Sequence, residues 1–208
     1  MKIYDCFQFF DENMMLDLRL NMLNDYVHKF VIVENAFMHS GKKKEPVFDI
    51  KNFSKFKEKI VYILIDKLPH GLHDTNKIQN LVEKGNRTID NTLMIEHAQR
   101  NSIQKGLVNS EDNDLIIVSD VDEIPNLEIN NLKKNKKKII HFKQKMFYYK
   151  FNLKYSSLPW FGSKACLKKN LILPQWLRDT KSRKYPLWRL DILFSKMKYN
   201  SIYHVENG

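Results

Sequence analysis

The stretch DLIIVSDVDEIP, residues 114–125, constrains the fold more than any other part of the chain. Its apolar run at residues 115–118 is closed by polar residues on both sides, which is typical of a parallel strand covered on both faces. Asp120 and Asp122 follow at the carboxyl end, where open α/β sheets bind their ligands. If the chain is still extended there, both carboxylates point to one side and Val121 to the other. The pattern predicts a central, buried strand that carries two aspartates into a ligand site.

Two carboxylates this close together repel each other unless a cation lies between them. Hard oxygen ligands of this kind suit Mg²⁺ or Mn²⁺, so Asp120 and Asp122 are the predicted metal ligands. Glu123 is interpreted either as a support for these ligands or as a first-turn helix acid, and Pro125 is predicted to start a new element. The alternative is that the aspartates are a helix N-cap and a surface acid.

The chain before this stretch predicts the start of a parallel sheet. A strand at residues 2–10, a helix at about 12–27 and a strand at 30–33 form a β-α-β unit, and Asp11 is the predicted helix N-cap. The helix has its apolar residues at i, i+4, i+7 and i+11. We therefore expect an α/β fold with a mostly parallel central sheet and helices on both sides. The other predicted elements are strands at 60–65, 139–153, 164–168 and 202–205, and a helix at about 89–106.

Length and composition limit the class of protein. With 208 residues, 43% of them hydrophobic, the chain is long enough for one domain and too short for two comfortable ones. The formal charge of +11 indicates a solvated surface or an anionic partner. No apolar run is long enough to span a membrane, and two distant cysteines, Cys6 and Cys166, make no disulfide framework. We expect a cytoplasmic protein with reduced thiols, and peripheral association with a membrane is left open.

The segment IIVSDVDEIP resembles the D-x-D segment of glycosyltransferase family 17, which includes the β-1,4-mannosyl-glycoprotein N-acetylglucosaminyltransferases. Three more stretches resemble the same family in the same order: KIYDCFQFFDE at 2–12, KFVIVEN at 29–35 and QRNSIQKGL at 99–107. The resemblance covers most of residues 2–122 and is patchier through PQWLR and the final HVENG. Because the family continues beyond a segment like HVENG, we expect this chain to be a fragment. We also expect no N-terminal anchor of the kind that a Golgi enzyme of the family would carry.

The resemblance implies a GT-A-like nucleotide-diphospho-sugar transferase, with a nucleotide-binding half at about 1–125 and an acceptor half at about 126–208. It implies transfer of N-acetylglucosamine from UDP-N-acetylglucosamine to a glycan acceptor with inversion, in the presence of Mn²⁺ or Mg²⁺. Asp120 would face the ribose or the metal, and Asp122 would bind the metal directly. This chain departs from the family at Lys43 and Glu45, where prolines are common.

The expected nucleotide-sugar site lies at one end of the sheet. We predict that Glu34, Arg100 and Asp120 meet there, because each closes or lines that end. Arg is suited to grip phosphate with two nitrogens, and surface or buried structural roles are the alternatives. The full set of candidates is Glu34, Gly41, Lys44, Gln99, Arg100, Asn101 and Asp120.

Acceptor and base residues are expected in the second half of the chain. Trp160, Trp176 and Arg178 are the acceptor-binding candidates, since aromatic rings stack on sugars, and core packing is their alternative. An inverting transfer needs a carboxylate on the acceptor hydroxyl. Glu206 is the first candidate for this base, and Asp179 and Asp191 compete with it.

Two other classes of function are compatible with parts of the sequence. A phosphatase of the haloacid dehalogenase type also has a strand followed by D-x-D, but its first aspartate lies on the first strand of the domain. A basic nucleic-acid-binding protein is suggested by the charge alone, without a recognisable binding module. We therefore expect a sugar-nucleotide donor and a glycan acceptor, and no nucleic-acid partner.

Overall fold

The computed structural model of the chain describes residues 1–128, 132, 137–147, 153–182, 186, 188–192, 194–196, 198–199 and 202–206. Some predicted features lie wholly or partly outside these ranges. They are a short helix at 127–132, a lysine-rich loop at 133–138, the end of the strand at 139–153, a loop at 182–188 and the last two residues of HVENG.

The described residues form a mixed α/β structure. Its strands are β1 (Ile3–Phe9), β2 (Lys29–Asn35), β3 (Ile60–Ile65), β4 (Leu115–Ser119), β5 (Ile139–Phe147), β6 (Lys154–Leu167), β7 (Lys181–Ser182), β8 (Lys198–Tyr199) and β9 (Ile202–Glu206). The α-helices are α1 (Asn13–Leu23), α2 (Leu81–Asn101) and α3 (Pro174–Asp179). The 3₁₀ helices are Ile50–Phe56, Thr75–Lys77, Ser102–Leu107, Lys168–Asn170 and Leu190–Ile192. None of the helices in the described ranges is long and apolar enough to cross a membrane.

The predicted β-α-β unit is confirmed. β1 and β2 pair in parallel, and α1 connects them with Leu16, Leu20, Leu23 and the following Val27 buried against the sheet. The helix begins after Glu12, not after the predicted cap Asp11. The carboxylate of Glu12 accepts hydrogen bonds from the backbone amides of Phe10 and Asp11 at 3.0 and 3.1 Å, so it closes the turn that precedes the helix.

The central sheet has the strand order β3-β2-β1-β4-β6-β5-β9. The pairings among β1 to β4 and between β5 and β9 are parallel, whereas β6 is antiparallel to both of its neighbours. The sheet is therefore mixed, and the prediction of a mostly parallel sheet is wrong in this respect. Six residues separate β5 from β6. A parallel crossover needs about a dozen, so the chain must reverse there.

The prediction for the strand before Asp120 is confirmed. β4 occupies the middle of the sheet, and all five of its residues are buried. Alternate residues face opposite layers. Leu115 and Ile117 pack with α1 and the 3₁₀ helix Ile50–Phe56, while Ile116 and Val118 pack with the 3₁₀ helix Ser102–Leu107 and α3. Helices cover both faces, as the continuous apolar run predicts.

Two helical segments differ from the predictions. α2 begins eight residues earlier than expected, because the side chain of Asn80 caps the amides of Val82 and Glu83 at 3.0 and 3.1 Å. Gly85 is tolerated in this exposed first part of the helix. The segment PQWLR forms α3, which begins with Pro174 at its first position, where proline costs no hydrogen bond.

Two glycines allow a matched test of the packing. At Gly106 an added Cβ would overlap Val31 and lie 3.2 Å from Ile63 Cδ1, whereas at Gly85 it would meet nothing within 4 Å. We expect Gly106→Ala to lower the free energy of unfolding by about 1–3 kcal/mol, since the helix must move off β2 and β3. Gly85→Ala should raise it by about 0.5–1 kcal/mol through helix propensity. Urea denaturation of both variants measures this, and equal effects would contradict the packing described.

Candidate functional site

One buried arginine of α1 fixes the turn after β4 by hydrogen bonds to its backbone. Arg19 of α1 pairs with Asp5 of β1 through two hydrogen bonds of 2.7 Å, and both side chains are completely buried. Its Nη1 donates to the carbonyls of Asp120, Val121 and Glu123 at 3.0–3.2 Å. The turn also closes on itself, because the Glu123 amide donates to the Asp120 carbonyl at 3.1 Å. The backbone is not extended here, so the condition for placing both aspartates by strand alternation is not met.

Asp120 lies between two arginines. Arg100 of α2 donates to its Oδ1 at 3.0 Å, and Arg178 of α3 donates to its Oδ2 at 2.8 Å. The Asp120 side chain is 42% exposed, so both pairs form at the surface of a cavity. Burial disfavours the charged form of Arg178, but Asp120 and Glu123 outweigh this effect, and the pKa of Arg178 is raised.

Asp122 is placed differently. It is exposed, and no hydrogen bond or ion pair of its carboxylate occurs within the described part of the chain. Together with Asp120 it borders a first cavity of about 380 Å³ at the carboxyl ends of β1 and β4, whose wall also includes Gln8, Phe9, Phe10, Glu12, Met15, His39, Glu96, Gln99, Arg100 and Val121. The turn therefore brings both carboxylates to one cavity although the chain is not extended.

A second cavity of about 520 Å³ lies beside the first. Glu96, Arg100 and Asp120 line both cavities and form their common boundary. The other residues around the second cavity are Leu93, His97, Pro159, Trp160, Phe161, Lys164, Gln175, Arg178 and Asp179.

Glu123 connects the two cavities. One carboxylate oxygen accepts from Trp160 Nε1 at 3.1 Å, and the other accepts from the Asp120 amide at 3.0 Å and from Arg178 Nη1 at 2.7 Å. An added Cβ at Gly162 would lie 2.7 Å from Glu123 Cδ, so this carboxylate packs directly on the backbone of β6. The interpretation of Glu123 as a support of the turn agrees with these contacts.

The three polar residues at the end of α2 have distinct contacts. Gln99 is buried and donates to the carbonyls of Val33 and Phe9 at 2.9 and 3.4 Å, which ties the helix to β1 and β2. Arg100 also pairs with Glu96 at 2.8 Å and donates to Gln175. The oxygen of Asn101 accepts from the Gln175 amide at 3.0 Å and satisfies one free amide at the start of α3.

Glu34 does not join Arg100 and Asp120, although those two residues meet as predicted. Its completely buried carboxylate accepts from Lys44 Nζ at 2.6 Å, the amides of Val47 and Phe48 at 2.8 and 3.1 Å, and Tyr62 Oη at 2.8 Å. Burial, reinforced by Glu34, raises the pKa of Tyr62 well above its ordinary value. The structure gives Glu34 the role of anchoring the loop between β2 and β3.

The predicted cationic loop is part of this anchor. Lys44 is bound to Glu34 and to the Phe10 carbonyl at 3.2 Å, and its ammonium lies 4.8 Å from the centre of the Phe10 ring. Gly41 has a φ of +81°, which a tight turn requires and which other residues rarely adopt. These two residues shape the loop, and neither is among the residues around the two cavities.

The acceptor candidates divide into exposed and buried residues. Trp160 is 40% exposed and lines the second cavity together with Arg178. Trp176 is 9% exposed, packs in the core against the sheet and donates to the Lys196 carbonyl, so the core-packing alternative describes it.

The three candidate bases are far from equivalent. Asp179 lines the second cavity and accepts from Gln175 at 2.9 Å. Asp191 pairs with Arg189 at 2.6 Å, and Glu206 on β9 pairs with Lys143 at 2.7 Å. Both are exposed, and neither is among the residues around the two cavities. Of the three, only Asp179 borders the second cavity.

Sequence reasoning missed Arg19, Glu96 and Lys164. Arg19 is a single charge on the apolar face of α1, and such a position in the sequence indicates a buried ion pair. Glu96 lies one helical turn before Arg100, which is the spacing of an i,i+4 ion pair. Lys164 donates to the carbonyls of Arg178 and Thr180, and nothing in the local pattern of β6 indicates this contact.

An α/β sheet with adjoining cavities at the carboxyl ends of its strands is the arrangement of a ligand-binding α/β enzyme. The family model for glycosyltransferase family 17 matches residues 1–172 of the 208. The chain therefore belongs to glycosyltransferase family 17 and is a glycosyltransferase. A search of curated proteins found no match. Membership of this family leaves the phosphatase and nucleic-acid alternatives without support. The helix α3, which carries Arg178, lies beyond the matched residues.

The buried lysine gives a pH-dependent test of this region. Burial lowers the pKa of Lys164 to about 8, and the charge of Arg178 acts in the same direction. The unfolded chain keeps this proton up to about pH 10.5, so the folded state gains stability as the pH rises from 8 to 10.5. Relative to Lys164→Met, the free energy of unfolding of the wild type should rise by about 2–3 kcal/mol across this interval.

Denaturant titrations of both proteins at several pH values measure this difference. Burial raises the pKa values of the Cys6 and Cys166 thiols, so they lower the free energy of unfolding as the pH rises. This effect is the same in both proteins and cancels in the difference. Parallel pH curves for the two proteins would show that Lys164 keeps its ordinary pKa.

Proposed function

We propose that this glycosyltransferase transfers N-acetylglucosamine from UDP-N-acetylglucosamine to a glycan acceptor, with inversion and with Mn²⁺ or Mg²⁺ bound, on a GT-A-like fold. The observation that carries the proposal is the pair Asp120 and Asp122 on one cavity at the carboxyl end of β4. A volume of about 380 Å³ lies within the range of pockets that hold small ligands. Family membership supports sugar transfer, and the cavity supports the location of the donor.

The metal assignment is compatible with the donor groups present. In the described part of the chain, no three His, Cys, Asp or Glu side chains are arranged to hold a metal ion. A divalent ion bound with a diphosphate needs only one or two carboxylates, because phosphate and water supply the remaining oxygens. Asp122 fits this role because its exposed carboxylate faces the cavity without a described partner. A bound Mn²⁺ or Mg²⁺ would supply positive charge that stabilises the leaving diphosphate.

The protein residues at the cavity boundary have complementary tasks in this proposal. Asp120 is oriented by two arginines and keeps unused acceptor positions, which suit a ribose hydroxyl. Arg100 lines the donor cavity and brings a guanidinium close to the charge that develops on the diphosphate. In the second cavity, the half-exposed ring of Trp160 offers a surface for a sugar ring.

The acceptor hydroxyl requires a base on the side opposite the leaving group. Asp179 is the candidate that we retain for this role, because it borders the second cavity. Its carboxylate receives a hydrogen bond from Gln175, which also contacts Arg100, so its position is linked to the cavity boundary.

The proposal is tested by comparing two aspartates at opposite ends of β4. Asp122→Asn should keep the fold and lose Mn²⁺-dependent UDP binding, because the amide keeps the shape and removes the charge. Asp112→Asn removes the same charge from an exposed residue before β4 and should bind as the wild type does. Removing one of two neighbouring like charges should also leave the unfolding midpoint of Asp122→Asn without metal unchanged or slightly raised.

Thermal unfolding with a panel of nucleotide sugars, with and without Mn²⁺, provides the measurement. A donor at about 100 times its Kd adds about 2.7 kcal/mol to the free energy of unfolding. We expect this gain for UDP-N-acetylglucosamine with the wild type and Asp112→Asn only. Equal Mn²⁺-dependent UDP binding by Asp122→Asn would exclude the metal assignment.

A further inference from the structure

Trp160 lines the second cavity, and its indole forms a hydrogen bond with the carboxylate of Glu123, which also binds the turn that borders the first cavity. Its indole N–H donates to Glu123, whose carboxylate is 8% exposed. The same carboxylate accepts the backbone amide of Asp120 and both terminal nitrogens of Arg178. A single buried carboxylate thus connects the aromatic wall of one cavity to the aspartate turn of the other.

The two oxygens of Glu123 carry separate parts of this connection. Oε1 accepts from Trp160 at 3.1 Å and from Arg178 Nη2 at 3.3 Å, while Oε2 accepts from Arg178 Nη1 at 2.7 Å and from Asp120 at 3.0 Å. Without the indole N–H, Oε1 would keep only the longer bond to Arg178. The carboxylate would then turn toward Arg178, and the bond to the Asp120 amide would lengthen.

The surroundings of Glu123 limit the other directions in which its carboxylate can move. The backbone at Gly162 is so near that an added Cβ would lie 2.8 Å from Glu123 Oε1. Arg178 donates to the Gly162 carbonyl and to Asp120, so its guanidinium is also held in place. A carboxylate with fixed neighbours transmits a lost hydrogen bond to its remaining partners, because it has few other positions to adopt.

We infer that Trp160 is a positioning residue for the donor site, acting through Glu123 on the turn that carries Asp120 and Asp122. The inference rests on the proposed function, since it concerns how the proposed donor cavity is held. A sugar that draws the indole N–H away from Glu123 would in this way change the affinity for the donor, and by thermodynamic reciprocity the donor would change the affinity for the sugar by the same factor. The second cavity is therefore coupled to donor binding as well as being a place for the acceptor.

The test uses a substitution that keeps the aromatic ring. Trp160→Phe removes the N–H that binds Glu123 and retains an apolar ring facing the second cavity. In isothermal titration of UDP at saturating Mn²⁺, its Kd should rise about fivefold or more, the lower end of typical coupling between sites. The unfolding midpoint without ligand should change no more than that of the control variant.

Tyr4→Phe is the matched control. Tyr4 is a buried aromatic residue that donates one hydrogen bond to the Asn109 carbonyl at 3.1 Å, at the opposite end of the sheet from the cavities. The Tyr4→Phe variant loses one hydrogen bond donated by an aromatic side chain, as Trp160→Phe does, and it should bind UDP as the wild type does. Gly162→Ala serves as a second variant. Its Cβ would overlap Gln144 Oε1 and lie 2.7–2.8 Å from the Glu123 carboxylate, so both side chains must shift, and its Kd for UDP should also rise.

The outcomes separate the inference from the proposed function. Unchanged Kd values in Trp160→Phe and Gly162→Ala, with Mn²⁺-dependent UDP binding by the wild type, would overturn the inference and leave the proposed function standing. An equal loss in Tyr4→Phe would also overturn it, since the effect would then be one of general stability. Failure of the wild type to bind UDP with Mn²⁺ would overturn the proposed function and the inference with it.

Discussion

The buried guanidinium of Arg19 is the contact on which the site depends. Moving an arginine and an aspartate out of water costs several kcal/mol for each ion, and only good geometry with full hydrogen bonding offsets this. Asp5 supplies the opposite charge in a two-pronged pair, and three carbonyls of the turn accept the remaining hydrogen bonds. Because the same cation needs β1 and the turn after β4, displacing one without the other would leave either its buried charge or its buried N–H groups without a partner.

The two aspartates of the turn have different surroundings although only one residue separates them. Asp120 gives one oxygen to an arginine from α2 and the other to an arginine from α3, so three elements fix its orientation. Asp122 remains exposed on the cavity. The D-x-D pattern predicts two carboxylates on one side of an extended strand, whereas the fold gives one a fixed direction and leaves the other exposed on the cavity. This difference follows from the turn at residues 120–123, which replaces the extended backbone that the pattern suggested.

The sequence predicts the parts of this structure that depend on local pattern. The apolar run of β4, the β-α-β unit and the meeting of Arg100 with Asp120 follow from periodicity and from where strands and helices end. The place of β6 between β4 and β5 does not, because strand order is decided by pairing between segments that are far apart in sequence. The role of Arg178 is equally hidden, since a six-residue helix with one proline carries little periodic signal. Glu34 resembles a ligand-binding acid at a strand end, but its four partners lie in a loop and in β3 whose approach no local pattern indicates.

The common wall of the two cavities restricts where chemistry can occur. Glu96, Arg100 and Asp120 border both, so in the proposed function a donor in the first cavity and an acceptor in the second would meet across these side chains. The wall is built from α2 and the turn after β4, and α3 secures it from the other side through Arg178. Opposite charges alternate along it from Glu96 through Arg100 and Asp120 to Arg178 and Glu123. In this row of ion pairs each charged group is the partner of the next. A ligand that binds one of the arginines therefore leaves a carboxylate that needs another cation. The divalent metal that we propose would meet this requirement if it arrived with the anionic donor, so the proposed function predicts that the two bind together.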